Sequence, residues 1–462
     1  MTDGRQTEGG YMKKITGRTI PYTRALHAVA ATALGLFSLK AYAVPSFARQ
    51  TGLACAVCHD VPPQLTAFGR QFKLNGYTLT TLKQVKSGKD LSINRLPPLS
   101  VMVQLSATTL TNEPAGKTST KTKAQNTNIE FPQQLSLFYA GEITPHMGAF
   151  MQVTYDNGGG SFAFDNTDIR YARQSMFGSQ SVAWGLDANN NPSVEDLWND
   201  TPAWSFPWGH SNIAPTPSGT TSTLVNEGLA QQVAGFGEYS MWNNAWYEDL
   251  TVYRSVPQGT SPVNPTTNGQ GASYIINGVA PYWRLAWQHS FGNSYLEVGT
   301  FGMHAAFLGG VTGAGVPGVS DQLTDVAVDS QFDHHFGHDL LTLYASLVHE
   351  RQNLASSHAL NPAVASHQNL NNVRLTGTYQ FGLHYLVGES FFTSNGTSDQ
   401  AWYNTPSGNG SPASTGFETR LTYLPWQNTQ FTLQYTAYSK FDGQTAGASR
   451  SNSLYILAWF LW

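Results

Sequence analysis

Cysteine is nearly absent: the chain of 462 residues has two, Cys55 and Cys58. Disulfides therefore cannot hold the bulk of the chain together, and no second cysteine pair exists to complete a zinc site. Charge is also scarce. Asp, Glu, Lys and Arg make up 12% of residues, against about 25% in an average soluble domain. The formal net charge of −4 is too small to point to nucleic acid, and no such partner is expected. Beyond residue 39 no stretch is long and apolar enough for a transmembrane helix.

What is plentiful is glycine, at 44 residues, and aromatic side chains, at 12%. Asn, Ser and Thr are abundant too. The N-terminus reads as an export signal spanning residues 1–43. Met12-Lys13-Lys14 offers a second start, Arg18 and Arg24 continue a basic region, and Ala25 to Leu39 form a short apolar run. Ala41-Tyr42-Ala43 is a small-x-small cleavage site, so the mature chain is expected to begin at Val44. Low charge, many aromatics, many glycines and export together suit an outer-membrane β-barrel. A large extracellular β-sandwich is the competing reading.

The two cysteines stand in Ala54-Cys55-Ala56-Val57-Cys58-His59. Cys-x-x-Cys-His is the attachment signature of a c-type haem. Each thiol at this spacing can form a thioether to one haem vinyl group, and the following imidazole can ligate the iron. Cys55 and Cys58 are thus assigned as anchors of one covalent haem c and His59 as the axial ligand. A redox dithiol, a disulfide or half a zinc site would use the same residues. A thioredoxin-like dithiol wants a βαβ context that the flanks lack.

Residues 44–98 form a short, partly helical segment around this motif. Pro62-Pro63 stop any helix begun at Cys55. Thr66 is placed to cap a second short helix and Asn75-Gly76 to end it. Phe68 and Phe72 lie one turn apart and could cover a haem or bury each other. Arg70 and Lys73 lie on another side, as propionate partners or as solvated charges. About 55 residues are too few to bury a good core alone. No Met or His follows His59 before Met102, which makes Met102 a candidate sixth ligand, alongside Met303 and several histidines.

From residue 99 to 462 the period changes to two. Val101, Val103 and Leu105 alternate with Met102, Gln104 and Ser106; Val326 and Val328 alternate with Asp325, Ala327 and Asp329; Phe417, Thr419, Leu421 and Tyr423 alternate with Glu418, Arg420 and Thr422. Short Gly, Pro or Asn turns alternate with mostly longer polar loops, the outer-membrane pattern of short periplasmic turns and long external loops. Counting the segments gives an all-β, antiparallel barrel of about sixteen strands, the preceding segment acting as its plug. The final strand ends on Phe460-Leu461-Trp462, resembling the aromatic insertion signal of such barrels. The run Asp333-His334-His335-Phe336-Gly337-His338-Asp339 reads as a metal-binding group or as a solvated turn.

Together these pieces resemble the fused monohaem c-type cytochrome–porins of the bacterial outer membrane, best known from iron-oxidising bacteria. The local match runs from Val44-Pro45-Ser46-Phe47-Ala48-Arg49-Gln50 through the haem motif to Lys73-Leu74-Asn75-Gly76-Tyr77; the rest of the match is architectural. The resemblance implies electron transfer across the outer membrane, from an extracellular donor, Fe(II) in the iron oxidisers, to a periplasmic c-type cytochrome or other soluble carrier. On that reading the chain is an Fe(II)-oxidising cytochrome or a plain electron carrier embedded in outer-membrane lipid. The alternatives are a porin or substrate channel with a haem-bearing plug of structural or sensory role, and a secreted haem enzyme such as a peroxidase.

Overall fold

A strand that alternates apolar and polar side chains has one face for lipid and one for a polar interior, and only closure removes its unpaired edges. In the computed structural model this is what residues 99–462 do. The described residues are 44–462 without 87–91, 112–126, 157–160, 201–208, 210, 216–221, 257–274, 311–315 and 404–407, and the export signal expected over 1–43 lies outside them. Sixteen antiparallel strands close into a barrel in sequence order. They are β1 Leu99–Leu110, β2 Asn128–Thr144, β3 Met147–Asp156, β4 Ser161–Phe177, β5 Gln180–Asn189, β6 Val233–Trp242, β7 Trp246–Ser255 and β8 Ala280–Phe291. The second half comprises β9 Ser294–Leu308, β10 Ser320–Phe336, β11 Asp339–Asn353, β12 His367–Phe381, β13 Tyr385–Gly396, β14 Ser414–Trp426, β15 Thr429–Lys440 and β16 Ser453–Leu461. Closure runs through β16 against β1, with Leu461 opposite Met102 and Ser453 opposite Leu110.

The predicted alternation holds. Val326, Val328, Leu343, Leu347, Leu421, Leu433 and Ile456 are exposed on the outer face, while Asp325, Asp329, Glu350, Glu418 and Thr432 are buried inside. An apolar outer band over a polar interior is what a lipid bilayer selects, and the chain is an outer-membrane β-barrel. Beside the short turns the outer face turns aromatic: Phe177, Trp242, Trp246, Phe291, Phe336, Phe381, Tyr385, Tyr423 and Trp426 are all exposed there. Tyr385 stacks on Tyr423 at 5.1 Å. Such a girdle marks a membrane–water interface. The turn after β6 uses Asn243 and Asn244 at φ 51° and 54°, a left-handed region in which Asn is enriched among non-glycine residues.

Among the described residues, two stretches stand out in the interior. The first is the N-terminal segment, with helices α1 Pro45–Thr51, α2 Cys55–Cys58 and α3 Ala67–Leu74, and a small hairpin formed by Gln84–Lys86 and Ser92–Asn94. The second is the loop between β5 and β6. Its length suggested an external loop, yet Val194, Leu197 and Trp198 have no exposed surface. Leu197 and Trp198 pack with Leu74, Tyr239 and Tyr247. Burying a side chain of this size contributes about 1.5–3 kcal/mol, which is reason enough for the loop to fold into the barrel.

Candidate functional site: the haem motif at the short-turn mouth

The motif is placed by the helices that flank it. In α1, the buried Gln50 side chain donates to the carbonyls of Tyr77 and Leu79 at 2.6 and 2.9 Å and accepts from the Glu142 amide of β2 at 2.9 Å. One amide thereby ties the start of the segment, its end and the barrel wall together. The cap predicted for α3 is present: Thr66 Oγ1 accepts from the Gly69 amide at 3.0 Å. Gly69 faces the motif so closely that a Cβ there would overlap the Cys58 carbonyl oxygen. At the far end of α3, Asn75 is the cap and Gly76 takes φ 63°.

Contacts with the wall give the depth. The Cys55 amide donates to Gln427 Oε1 at 3.3 Å, and Gln427 lies in the short turn between β14 and β15. Gln71 Nε2 donates to Asn244 Oδ1, in the short turn between β6 and β7, at 2.6 Å. Deeper in the lumen, Tyr77 Oη donates to Asp168 at 2.5 Å and Tyr239 Oη to the Leu74 carbonyl at 2.9 Å. The motif therefore sits at the mouth framed by short turns, the periplasmic side of such a barrel.

Cys55 is buried, Cys58 partly exposed, and no disulfide joins them. They begin and end the single helical turn α2. His59 Nδ1 lies 3.0 Å from the Pro63 carbonyl oxygen and 3.3 Å from that of Gln64. A carbonyl only accepts, so Nδ1 carries the proton and Nε2 keeps its lone pair. Burial also pushes the His59 imidazole below its ordinary pKa, with the two backbone hydrogen bonds opposing. The neutral ring with a free Nε2 is the form that ligates a metal.

The remaining predicted residues separate into two groups. Phe72 turns away from the motif and packs with Phe47, Tyr77 and Met102 against Phe138 and Phe150 of the wall. Met102 is thus an inward-facing core residue of β1, and Gln104 Nε2 reaches its sulfur at 3.7 Å. Phe68 is half-buried. Met303 belongs to a separate apolar cluster with Phe301, Phe307 and Leu323. Arg70 and Lys73 are not solvated: each is 2% exposed. Arg70 donates to the Leu65 carbonyl at 2.6 Å and lies over the Tyr295 ring at 4.2 Å. Lys73 Nζ donates to the carbonyls of Val194 and Asp196 at 2.8 and 2.7 Å and to Asn199 Oδ1 at 3.0 Å. Its three protons are matched by three loop oxygens, so Lys73 is a latch rather than a propionate partner.

A haem needs two thiols, an imidazole and donors for its carboxylates, and the residues present suit it. Beside the motif, Gln64 is fully buried and neither atom of its side-chain amide has a partner; Arg70 Nε has none either. These two unsatisfied donors, in the stretch that follows His59, match the needs of a propionate-bearing group. Cys55 and Cys58 would hold it, and His59 would ligate its iron.

Further inside, charges are paired across the wall and the inward loop. Arg170 lies 2.8 Å from Asp168, 3.5 Å from Glu195 and 4.0 Å from Asp187. Arg284 lies 2.6 Å from Asp329, 3.4 Å from Glu297 and 3.9 Å from Asp196. Asp329 of β10 thus pairs with an arginine of the wall, and Asp325 accepts from the Val225 amide of the loop at 2.9 Å. The histidine run at 333–339 spans the end of β10, the turn Gly337-His338 and the start of β11, and His334 meets Ser294 at 2.7 Å. Trp198 and Asn199 of the loop adjoin residues 63–65 behind the motif, a placement that no sequence motif marks. The apolar Val194, Leu197 and Trp198 within a polar loop are the signal that would have flagged them.

No protein-family model and no curated protein matches the chain. Among solved structures, it is similar to the outer-membrane channel DcaP of Acinetobacter baumannii, at 12% identity and a TM-score of 0.47 over 79% of this chain and 96% of that one. It is also similar to Salmonella typhi OmpF in complex with daunomycin, at 11% identity and a TM-score of 0.45 over 82% of this chain and 100% of the other. A loop-deleted OmpT of Vibrio cholerae is similar at 10% identity and a TM-score of 0.42, over 79% and 98% of the two chains.

Proposed function

We propose that this protein is a porin-type outer-membrane channel closed by its own N-terminal segment, and that the segment carries one covalent haem c. The observation that carries the reading is the seat of residues 45–77 inside the barrel, bonded to β2, β4, β6 and two short turns. A segment tied to so many parts of the wall restricts the lumen for solutes. Conductance in planar bilayers tests it. Wild-type channels are expected to conduct poorly, and a variant lacking residues 44–98 to conduct strongly. Equal conductance of the two would overturn the closure.

A second, finer reading follows from His59: the plug passes electrons. When bound, the haem would supply one-electron redox chemistry. His59 holds its proton on Nδ1 against the backbone, leaving Nε2 for the iron, and Cys55 fixes the site beside Gln427 at the mouth. That position suits a periplasmic c-type cytochrome as acceptor, as the resemblance to cytochrome–porins implies. The apolar band of a barrel is about 25 Å tall, so a one-electron donor such as Fe(II) would approach through the lumen from the external side. In proteoliposomes with internal cytochrome, His59→Ala should stop reduction by an external donor while the barrel still inserts. Reduction at the wild-type rate would leave the channel reading alone.

A further inference from the structure

The carbonyls that receive the His59 proton belong to a strip, residues 63–65, that the inward loop grips from the other side. The Leu65 amide donates to the Trp198 carbonyl at 3.0 Å. Asn199 Nδ2 reaches the Pro63 carbonyl oxygen, the same atom that faces His59 Nδ1, at 3.5 Å. Asn199 holds a left-handed φ of 57°, a conformation that surrounding structure must hold in place for a residue with a side chain. Lys73 supplies the hold, through Asn199 Oδ1 and the carbonyls of Val194 and Asp196. Trp198 is fixed in turn by its Nε1–H to Tyr295 Oη at 2.6 Å and its amide to Asp196 Oδ1 at 2.9 Å.

We propose that this loop is part of the haem pocket, with Asn199, latched by Lys73, acting as a positioning residue for His59 by sharing the Pro63 carbonyl. The inference rests on the haem reading above. A carbonyl that accepts from two donors binds each less strongly. A stronger Nδ1–H bond makes an imidazole a better electron donor to its metal and favours the oxidised iron. Asn199 therefore weakens that bond and raises the reduction potential, while the Lys73 latch fixes the plane of the ring.

The test uses the full-length protein in detergent, first checked for covalent haem by staining. Asn199→Gly suits the left-handed φ and removes only the side chain. It should lower the ferrous-to-ferric ratio at fixed ambient potential by about threefold to tenfold, tenfold being 59 mV for a one-electron couple. Lys73→Met should alter the anisotropy of the ferric electron paramagnetic resonance signal, which reports ring orientation. If the loop only braces the fold, both variants would load less haem, yet the loaded fraction would keep the wild-type potential and signal, and the proposal would be wrong. A wild-type barrel that stains for no haem would instead defeat the underlying haem reading.

Discussion

At the residue scale, the inward loop carries a group whose protonation sets a pH dependence. Burial, with the charge of Asp249 added, pushes the Glu195 carboxyl from 4.5 up to about 8. Its Oε1 accepts from Thr251 Oγ1 at 3.1 Å and Tyr253 Oη at 3.0 Å. In the unfolded chain the group ionises near its ordinary value, so between that value and about 8 the folded protein holds the extra proton. The contribution to stability is complete at low pH and is lost as pH rises through about 8. The temperature at which the heat-modified gel band appears should fall between about pH 5 and pH 8. Glu195→Gln should flatten that fall, and an unchanged slope would show that Glu195 is ionised throughout. Some residues of this kind were legible in advance and others were not. Cys55, Cys58 and His59 could be read because their chemistry is local, fixed by spacing. Lys73 could be read only as charged. Its acceptors lie more than a hundred residues away on the chain, and nothing near it says that it is buried.

At the element scale, the strands were legible and the loop was not, for one reason. A strand between lipid and lumen must alternate, and β10 displays Val326 and Val328 outward against Asp325 and Asp329 inward. A polar loop has the same composition in water or in a polar lumen, so length alone suggests that the loop of roughly residues 188–231 lies outside. Two elements invite direct tests. Trp462 exchanges both backbone hydrogen bonds with Val101, at 2.8 and 2.9 Å, and Phe460 lies opposite Val103 across the seam. Deleting Phe460-Leu461-Trp462 removes the end of the closing ladder and should abolish the heat-modifiable band in membrane fractions. Retention of that band would show that the seam closes without it. In α3, Gly69→Ala would drive a methyl group into the Cys58 carbonyl and part the helix from the motif. A loss of about 1–3 kcal/mol is expected for such overpacking, read as reduced haem staining in a barrel that still resists SDS. Full staining would mean that α3 moves aside freely.

At the scale of the whole molecule, wall, loop and N-terminal segment answer one constraint. Sixteen strands enclose a lumen that the N-terminal segment shares with another part of the chain. The chain supplies a second body, the β5–β6 loop, and joins the two by Lys73, by Leu65 to Trp198, and by Leu74 packed among Leu197 and Trp198. Arg284 then pairs wall carboxylates with Asp196 of the loop, which limits the number of buried charges left unpaired. The result is a barrel whose interior is organised around the side that bears Cys55, Cys58 and His59.

That organisation serves redox chemistry only if the motif holds its group. Cleavage after Arg49 and Arg70 releases residues 50–70, a peptide with both cysteines and His59 and no internal Lys or Arg. Its mass, measured on SDS-resistant barrel purified from outer membranes, is the most direct test. The peptide is expected to carry the added mass of one haem and to leave no thiol for alkylation. An unmodified peptide with two alkylatable thiols would contradict the account and leave a plugged barrel without a redox centre.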